Sequence, residues 1–362
     1  MQIRNLKLVN FRNYEKLEIE FSNKINLIYG KNGSGKTNII EGIYVLSFTK
    51  SFRALSDKMM IKKGSESLKL EGTISDSSDN EFRIVINNEG KKVQINKNKI
   101  VKISDYISKF SAILFNPEDL RIVKDSPSVR RKSINMFLSQ FDNSYLKYLS
   151  SYNKILKQRN TYLKTMYLNA NASIDYLNIL TDQLIDYGEK IYDYRKNYFE
   201  KIADKISKFY QKISKKNVLK IKYQSDYADL TRDEISRKYK KTENRDIYLG
   251  QTQFGIHRDD FIFFIDDNIL KDYGSEGQQK NAIISLKLAE LELFYETNNK
   301  YPILILDDLF SELDEEKITN ILDNIDENVQ TFITTTEISK IDKSKIKKYK
   351  KFHIIDGIVE EE

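Results

Sequence analysis

Apolar and polar positions alternate over the first thirty residues. Ile3, Leu6, Leu8 and Phe11, then Leu17, Ile19 and Phe21, recur at the spacing of half-buried strands. Residues 25–29 form a short β run that stops at Gly30, and residues 38–48 read as a helix. Alternation returns over 68–74, 82–86 and 93–95, with Asn87-Asn88-Glu89-Gly90 as the hairpin turn. Residues 111–115 predict another strand, stopped by Asn116-Pro117. From about Ser126 the period lengthens, and Tyr, Lys, Leu and Ile recur at helical spacing to about Lys216. Strands resume at 218–223 and 260–265. A helix over 278–294 and strands over 303–306 and 331–333 complete the pattern.

Punctuation sharpens this outline. Glycine and proline number 13 and 3 in 362 residues, and between positions 128 and 249 there is no proline and a single glycine, Gly188. Sandwiches and barrels turn every 8–12 residues or so, which excludes them here; the stretch reads as long helices. Two strand-and-helix segments flanking a helical insertion predict an α/β fold, one head domain split by an inserted α-helical lobe. The expected bounds are 1–125 for the first half of the head, 126–245 for the lobe and 246–362 for the second half. No heptad run is long enough for an extended coiled coil.

Composition narrows the setting. No run of about 18 apolar residues occurs, so no membrane span is expected. The polar start, Met1-Gln2-Ile3-Arg4-Asn5, enters the first strand pattern directly, unlike a signal peptide. With no cysteine there are no disulfides or thiolate metal sites, and two histidines leave little for a histidine site. The expectation is a soluble, cytoplasmic protein. Net charge is +7, from 60 Lys+Arg against 53 Asp+Glu, with a pI near 9.0, which suits an acidic partner such as nucleic acid. The basic residues are 47 Lys and 13 Arg, however, and Trp is absent. An AT-rich coding sequence produces the same bias, so charge alone does not select nucleic acid.

The chemistry is concentrated in three places. Gly30-Lys31-Asn32-Gly33-Ser34-Gly35-Lys36-Thr37 matches G-x-x-x-x-G-K-[ST] at every fixed position, between an apolar strand and a helix. Glycines let successive N–H groups curl around an anion, and the helix behind them adds its positive end. Gly30 through Asn38 are therefore expected to hold the phosphates of ATP, with Lys36 on the β- and γ-phosphates and the Thr37 hydroxyl on Mg²⁺. Ile303-Leu304-Ile305-Leu306-Asp307-Asp308 is an apolar strand that ends in two carboxylates. Asp307 is expected to hold the metal, through water, and Asp308 to orient or deprotonate the attacking water. Lys36, Asp307 and Asp308 are thus the candidate catalytic residues. Ser275-Glu276-Gly277-Gln278-Gln279 opens a helix and makes a second anion-binding turn, with Ser275, Gly277 and Gln278 facing nucleotide. One nucleotide does not need two such sites on one chain. A homodimer in which each serine turn closes on the other chain's nucleotide is the economical arrangement, that of ATP-binding cassettes. Ser311-Glu312-Leu313-Asp314 fits the seam of such a dimer, and Thr334-Thr335-Thr336 stand where a γ-phosphate sensor is expected.

These motifs join others along nearly the whole chain: 8–14 (Leu-Val-Asn-Phe-Arg-Asn-Tyr), Ser51-Phe52-Arg53, 114–120 (Leu-Phe-Asn-Pro-Glu-Asp-Leu), 123–127, Arg130-Arg131, His257-Arg258-Asp259-Asp260 and 306–314. With them the sequence resembles the bacterial RecF DNA repair proteins, relatives of the SMC ATPase heads. The resemblance implies a recombination mediator that binds ATP, dimerises on it, engages single-stranded or gapped DNA, and works with RecO and RecR to load RecA. It also implies slow, DNA-dependent ATP hydrolysis. Two positions depart from the family: Glu276 replaces a basic residue in the serine turn, and Ile256 stands where proline is usual. The dimer is expected to survive because Ser275, Gly277 and the helix start are intact.

Arginine is scarce enough that Arg12, Arg53, Arg130 and Arg131 stand out. In SMC-like heads an arginine loop links DNA to the ATP site, which implies Arg53 as a relay; Arg130 and Arg131 are further candidate DNA contacts. A basic stretch holds Lys340, Lys343, Lys345, Lys347, Lys348, Lys350 and Lys351 and reads as a solvated helix that also suits phosphate contacts. Tyr145, Tyr148, Tyr152, Tyr162 and Tyr167 suit either base stacking or a helical core, and their helical spacing favours the core. His257 suits a structural or interface role better than acid–base catalysis. A transporter ATPase would carry a histidine switch where Thr334–Thr336 stand, and an SMC arm would need hundreds of heptad residues that the lobe lacks.

Overall fold

Each early run of alternation becomes a strand, and the helical period becomes four long helices. In chain order the elements are β1 (Gln2–Phe11), β2 (Tyr14–Glu20), β3 (Ile25–Tyr29), α1 (Lys36–Phe48), β4 (Leu68–Ser75), β5 (Asp79–Asn87), β6 (Gly90–Ile95), β7 (Asn98–Lys99), α2 (Ser104–Ile107), β8 (Ala112–Phe115), α3 (Arg121–Lys124), α4 (Pro127–Phe141), α5 (Asn143–Leu168), α6 (Ile174–Ser214), β9 (Leu219–Gln224), α7 (Arg232–Leu249), β10 (Asp260–Ile265), β11 (Asn268–Ile269), α8 (Leu270–Tyr273), α9 (Glu276–Asn298), β12 (Ile303–Asp307), α10 (Glu315–Asp323), β13 (Thr331–Thr335), β14 (Lys350–Ile355) and β15 (Ile358–Glu361). The computed structural model describes residues 1–169, 171–215, 218–309, 313, 315–336, 338–341 and 349–362.

The chain forms two compact units. The first comprises Met1–Leu120, Lys208–Lys216 and Lys280–Glu362. It contains two six-stranded sheets. One is an antiparallel sheet in the order β2-β1-β4-β5-β6-β7. The other runs β15-β14-β3-β13-β12-β8, parallel throughout except for β15. Strands of the antiparallel sheet keep one buried face, as in the strict alternation of β4. By contrast β12 and β13 are buried at every position, the behaviour of central parallel strands. α1 packs against β1, β4 and β5 of one sheet and β8, β12 and β13 of the other. That double contact explains why Ile39, Ile40, Ile43, Tyr44, Val45 and Leu46 are buried around the whole helix rather than along one stripe.

The second unit comprises Arg121–Ser207 and Asn217–Gln279. α4 packs on α5 and β10, α5 packs on α7, and β11-β10-β9 form an antiparallel sheet. Its interior holds ion pairs as well as apolar side chains: Arg159–Asp246 at 2.8 Å, Arg195–Asp259 at 2.5 Å and Arg130–Asp260 at 2.6 Å. α7 begins in a reciprocal Thr231/Glu234 capping box and ends at Gly250 with φ 62°. Residues 246–279, expected with the second half of the head, pack in this unit. The reason is pairing: β10 runs against β9 from Asp260↔Gln224 to Ile265↔Leu219. Among the described residues no helix is long and apolar enough to cross a membrane.

Candidate functional site

β3 ends at Tyr29, and the chain turns through 30–35 into α1. Two glycines are sterically required. Gly35 has φ 117°, and a Cβ there would lie 2.7 Å from the Tyr14 hydroxyl and 2.9 Å from Asn13 Nδ2. Gly30 has φ 152°, and its Cβ would run into the Ile354 carbonyl. The loop is braced from both sides. The Tyr14 hydroxyl donates to the Gly35 carbonyl at 3.2 Å, and the Gly357 N–H donates to the Ser34 carbonyl at 3.0 Å. Lys36 Nζ donates to the carbonyls of Gly30 and Lys31 at 2.7 and 2.9 Å. Burial lowers the Lys36 pKa, against the opposing pull of Asp308 and Asp307. The Ser34 hydroxyl is buried and has no hydrogen-bond partner among the described residues. An orphaned buried hydroxyl and a lysine folded onto loop carbonyls, at a helix N-terminus, fit an anion.

The carboxylates of β12 lie in the same unit. β12 and β3 are separated by β13, and Leu304↔Thr331 through Asp307↔Thr334 set the register. Asp307 Oδ1 accepts from the Thr334 hydroxyl at 2.6 Å and from the Thr37 hydroxyl at 3.2 Å. Burial raises the Asp307 pKa, while these two hydroxyls and the charge of Arg53 work in the other direction. Thr334 Oγ1 also accepts from the Asp308 N–H at 2.9 Å. Asp308 sits at φ 50°, left-handed backbone that Asp tolerates better than most residues. Thr334, expected as part of a γ-phosphate sensor, is here the clasp between the two carboxylate residues. Thr37 and Asp307 together offer hard oxygen donors of the kind that suit Mg²⁺.

A third group of charges surrounds α1. Glu41, fully buried, accepts from both Arg12 and Arg53, each at 2.6 Å. Burial alone would raise the Glu41 carboxyl, but hydrogen bonds from Arg12, Arg53 and Ser51 outweigh it and hold the pKa below the ordinary value. Glu41 was not singled out in the sequence, and Asn13 and Tyr14 stood out only as part of the motif 8–14, with no role given to them. A carboxylate among Ile39, Ile40 and Ile43, with no polar face to share, was the available signal.

The serine turn is described within the second unit. Ser275 N–H donates to Gln278 Oε1 at 2.8 Å, and Gln278 N–H donates to Ser275 Oγ at 3.3 Å, a reciprocal cap on α9. Gln279 is buried beneath it and donates to the Gly274 carbonyl at 3.2 Å. Ser275, Glu276 and Gly277 are exposed, and a Cβ on Gly277 would meet nothing within 4 Å.

The candidate DNA contacts of the lobe fare differently. Arg130 is buried; it makes a bidentate pair with Asp260 at 2.6 and 2.9 Å and donates to the Asp125 carbonyl at 2.7 Å. Arg131, half-buried, donates to the Asp259 carbonyl at 2.8 Å. Both guanidiniums therefore hold the motif 257–260 in place, and Arg130 has no surface to offer a phosphate. Tyr145 and Tyr152 are core residues, whereas Tyr167 is exposed. Lys350 and Lys351 lie in β14, not in a solvated helix, and Lys350 Nζ reaches the Glu20 carbonyl at 2.8 Å. Residues 342–348, with most of the basic stretch, and Ser311, Glu312 and Asp314 lie outside the described residues.

Comparison with known proteins agrees with this geometry. Residues 2–353 match the family described as the RecF/RecN/SMC N terminal domain. The chain is 38% identical over 368 residues to the DNA replication and repair protein RecF of Oceanobacillus iheyensis, covering 99% of this chain and 100% of that protein. It is 38% identical over 366 residues to RecF of Bacillus subtilis, covering 99% of each. Among solved structures, the recombination mediator protein RecF–ATPrS of the RecFOR pathway superposes with a TM-score of 0.91 at 33% identity over 99% of this chain and 98% of that one. The same mediator with ATP gives 0.91 over 99% and 97%. An SMC head bound to the C-winged helix domain of ScpA gives 0.59 at 15% identity over 100% of this chain and 98% of that one, a likeness of fold.

Proposed function

The chain belongs to the RecF DNA replication and repair proteins, and from that membership we propose that it is a recombination mediator whose grip on DNA is gated by ATP. The observation that carries the reading is the continuous chain Lys36–Thr37–Asp307–Thr334–Asp308, beside a braced glycine loop with an orphaned hydroxyl. Solved relatives with ATP and ATPrS, at a TM-score of 0.91, support ATP as its ligand.

In this reading Gly30 through Asn38 cradle the phosphates, and Lys36 exchanges its two carbonyl partners for the β- and γ-phosphate oxygens. Thr37 and Asp307 would hold Mg²⁺, which when bound supplies charge that offsets the triphosphate. Asp308 orients the attacking water, and Thr334 keeps both carboxylate residues in register. Ser275, Gly277 and Gln278 close on the nucleotide of a second copy, so ATP acts as the seam of a homodimer. Loss of the γ-phosphate then releases the seam, and turnover is slow and tied to DNA. The family's partners follow: single-stranded or gapped DNA, RecO and RecR, and through them RecA.

Sedimentation of the full chain with and without ATP and gapped DNA tests this. The wild type is expected to double in mass with ATP, and Lys36→Ala to remain at the ATP-free mass. An ATP-dependent dimer that persists in Lys36→Ala would refute the gate.

A further inference from the structure

Glu41 lies mid-helix in α1 with a fully buried side chain, and it serves two guanidiniums from different loops. Arg12, from the β1–β2 turn, donates to the carboxylate from Nε at 2.9 Å and Nη2 at 2.6 Å, and from Nη1 to the Met59 carbonyl at 2.8 Å. Arg53 donates from Nε at 3.0 Å and Nη2 at 2.6 Å, and Nη2 also meets Asn38 Oδ1. The Ser51 hydroxyl completes the carboxylate's shell at 2.5 Å.

The charges do not cancel. Two cations on one anion leave the cluster at +1, inside a region where charge is poorly screened. Arg12 is committed at all three of its nitrogens. Arg53 is not: its Nη1 has no partner among the described residues, and its side chain is 33% exposed. The open donor of the cluster therefore belongs to Arg53. Its contact with Asn38, next to Thr37, sets the guanidinium at the end of the phosphate loop, and its field reaches Asp307.

We propose that Glu41 is a positioning residue that presents Arg53 to a phosphate oxygen, and that Arg12 keeps Arg53 available by sharing the same carboxylate. Without Arg12, Glu41 and Arg53 close into a neutral pair. Arg12 thus acts on the phosphate only through Arg53. The inference rests on the reading of the loop as an ATP site, and two sources of phosphate fit it, the nucleotide and a nucleic-acid backbone.

A double-mutant cycle separates these possibilities. The full chain is titrated with a non-hydrolysable ATP analogue in one arm and with gapped DNA in the other, with a thermal melt of each variant to check folding. Arg53→Gln is expected to weaken binding about tenfold in one arm, the loss of one charged hydrogen bond. Arg12→Gln weakens the same arm several-fold, and the double variant is no weaker than Arg53→Gln alone. Glu41→Gln, which keeps the side chain's shape, loses a similar factor; the arginine cycle stands without it if that variant does not fold. Loss in the analogue arm assigns the nucleotide phosphate, and loss in the DNA arm the backbone phosphate. Multiplicative losses in the double variant, or unchanged affinity of Arg53→Gln in both arms, overturn the proposal. Lys36→Ala tests the underlying reading separately: if it binds the analogue normally, the ATP site is misassigned, whatever the arginine cycle reports.

Discussion

His257 is held neutral inside the second unit. The Thr252 carbonyl can only accept, so His257 Nε2 carries the proton at 3.1 Å, and Nδ1 accepts from the Tyr152 hydroxyl at 2.8 Å. Burial pushes its pKa down to about 4, against the pull of the Thr252 carbonyl. The unfolded chain binds a proton there below about pH 6.5, while the folded one does so only near 4. Stability is therefore complete above that upper value and falls by about 3 kcal/mol as pH drops to the lower one. Urea unfolding of the wild type and His257→Asn at pH 7 and 4.5 checks this: the variant is expected to lose less stability over the same interval. The histidine was legible in the sequence only as a structural or interface residue, because Tyr152, the partner of Nδ1, lies 105 positions away. Lys36, Thr37 and Asp307 were legible because motif spacing encodes where they meet. Arg130 was misread for the opposite reason: its partner, Asp260, is 130 positions away, and no local pattern records the pairing.

At the scale of elements, α9 depends on its first turn. Ser275 and Gln278 satisfy each other's N–H groups, so Ser275→Ala is expected to cost about 1 kcal/mol locally. Hydrogen exchange should rise over 276–279 and stay unchanged in α1. Equal protection in the variant would show that the cap contributes nothing to the turn. The strands were readable wherever one face met solvent, as in β4, or where an apolar run ended in turn residues, as in β3 and β12. The start of β14 was not readable, although His353 within it reads as a strand residue. Lys350 and Lys351 begin it, and a lysine-rich approach resembles a solvated helix until its pairing partner, β3, is known. The extent of the second unit was obscured in the same way, since the β9–β10 ladder joins residues on either side of α7.

At the scale of the molecule, the glycine loop is supported by a strand far along the sequence. β14 pairs with β3, Gly357 donates to Ser34, and Phe352 is fully buried edge-on to Phe21 with ring centroids 5.8 Å apart. Phe352→Ala is expected to destabilise the fold by about 3–5 kcal/mol. It should also raise hydrogen exchange over 30–36, well away from the substitution in sequence, a change that mass spectrometry resolves. An unaltered loop in a folded variant would make β14 a passive edge. The order of synthesis gives this bracing a further meaning. A ribosome delivers residues 30–37 long before the strand that braces them. The growing chain thus carries its glycine loop unsupported until β14 emerges, and a messenger cut short between the two yields a protein with the whole motif but without its brace.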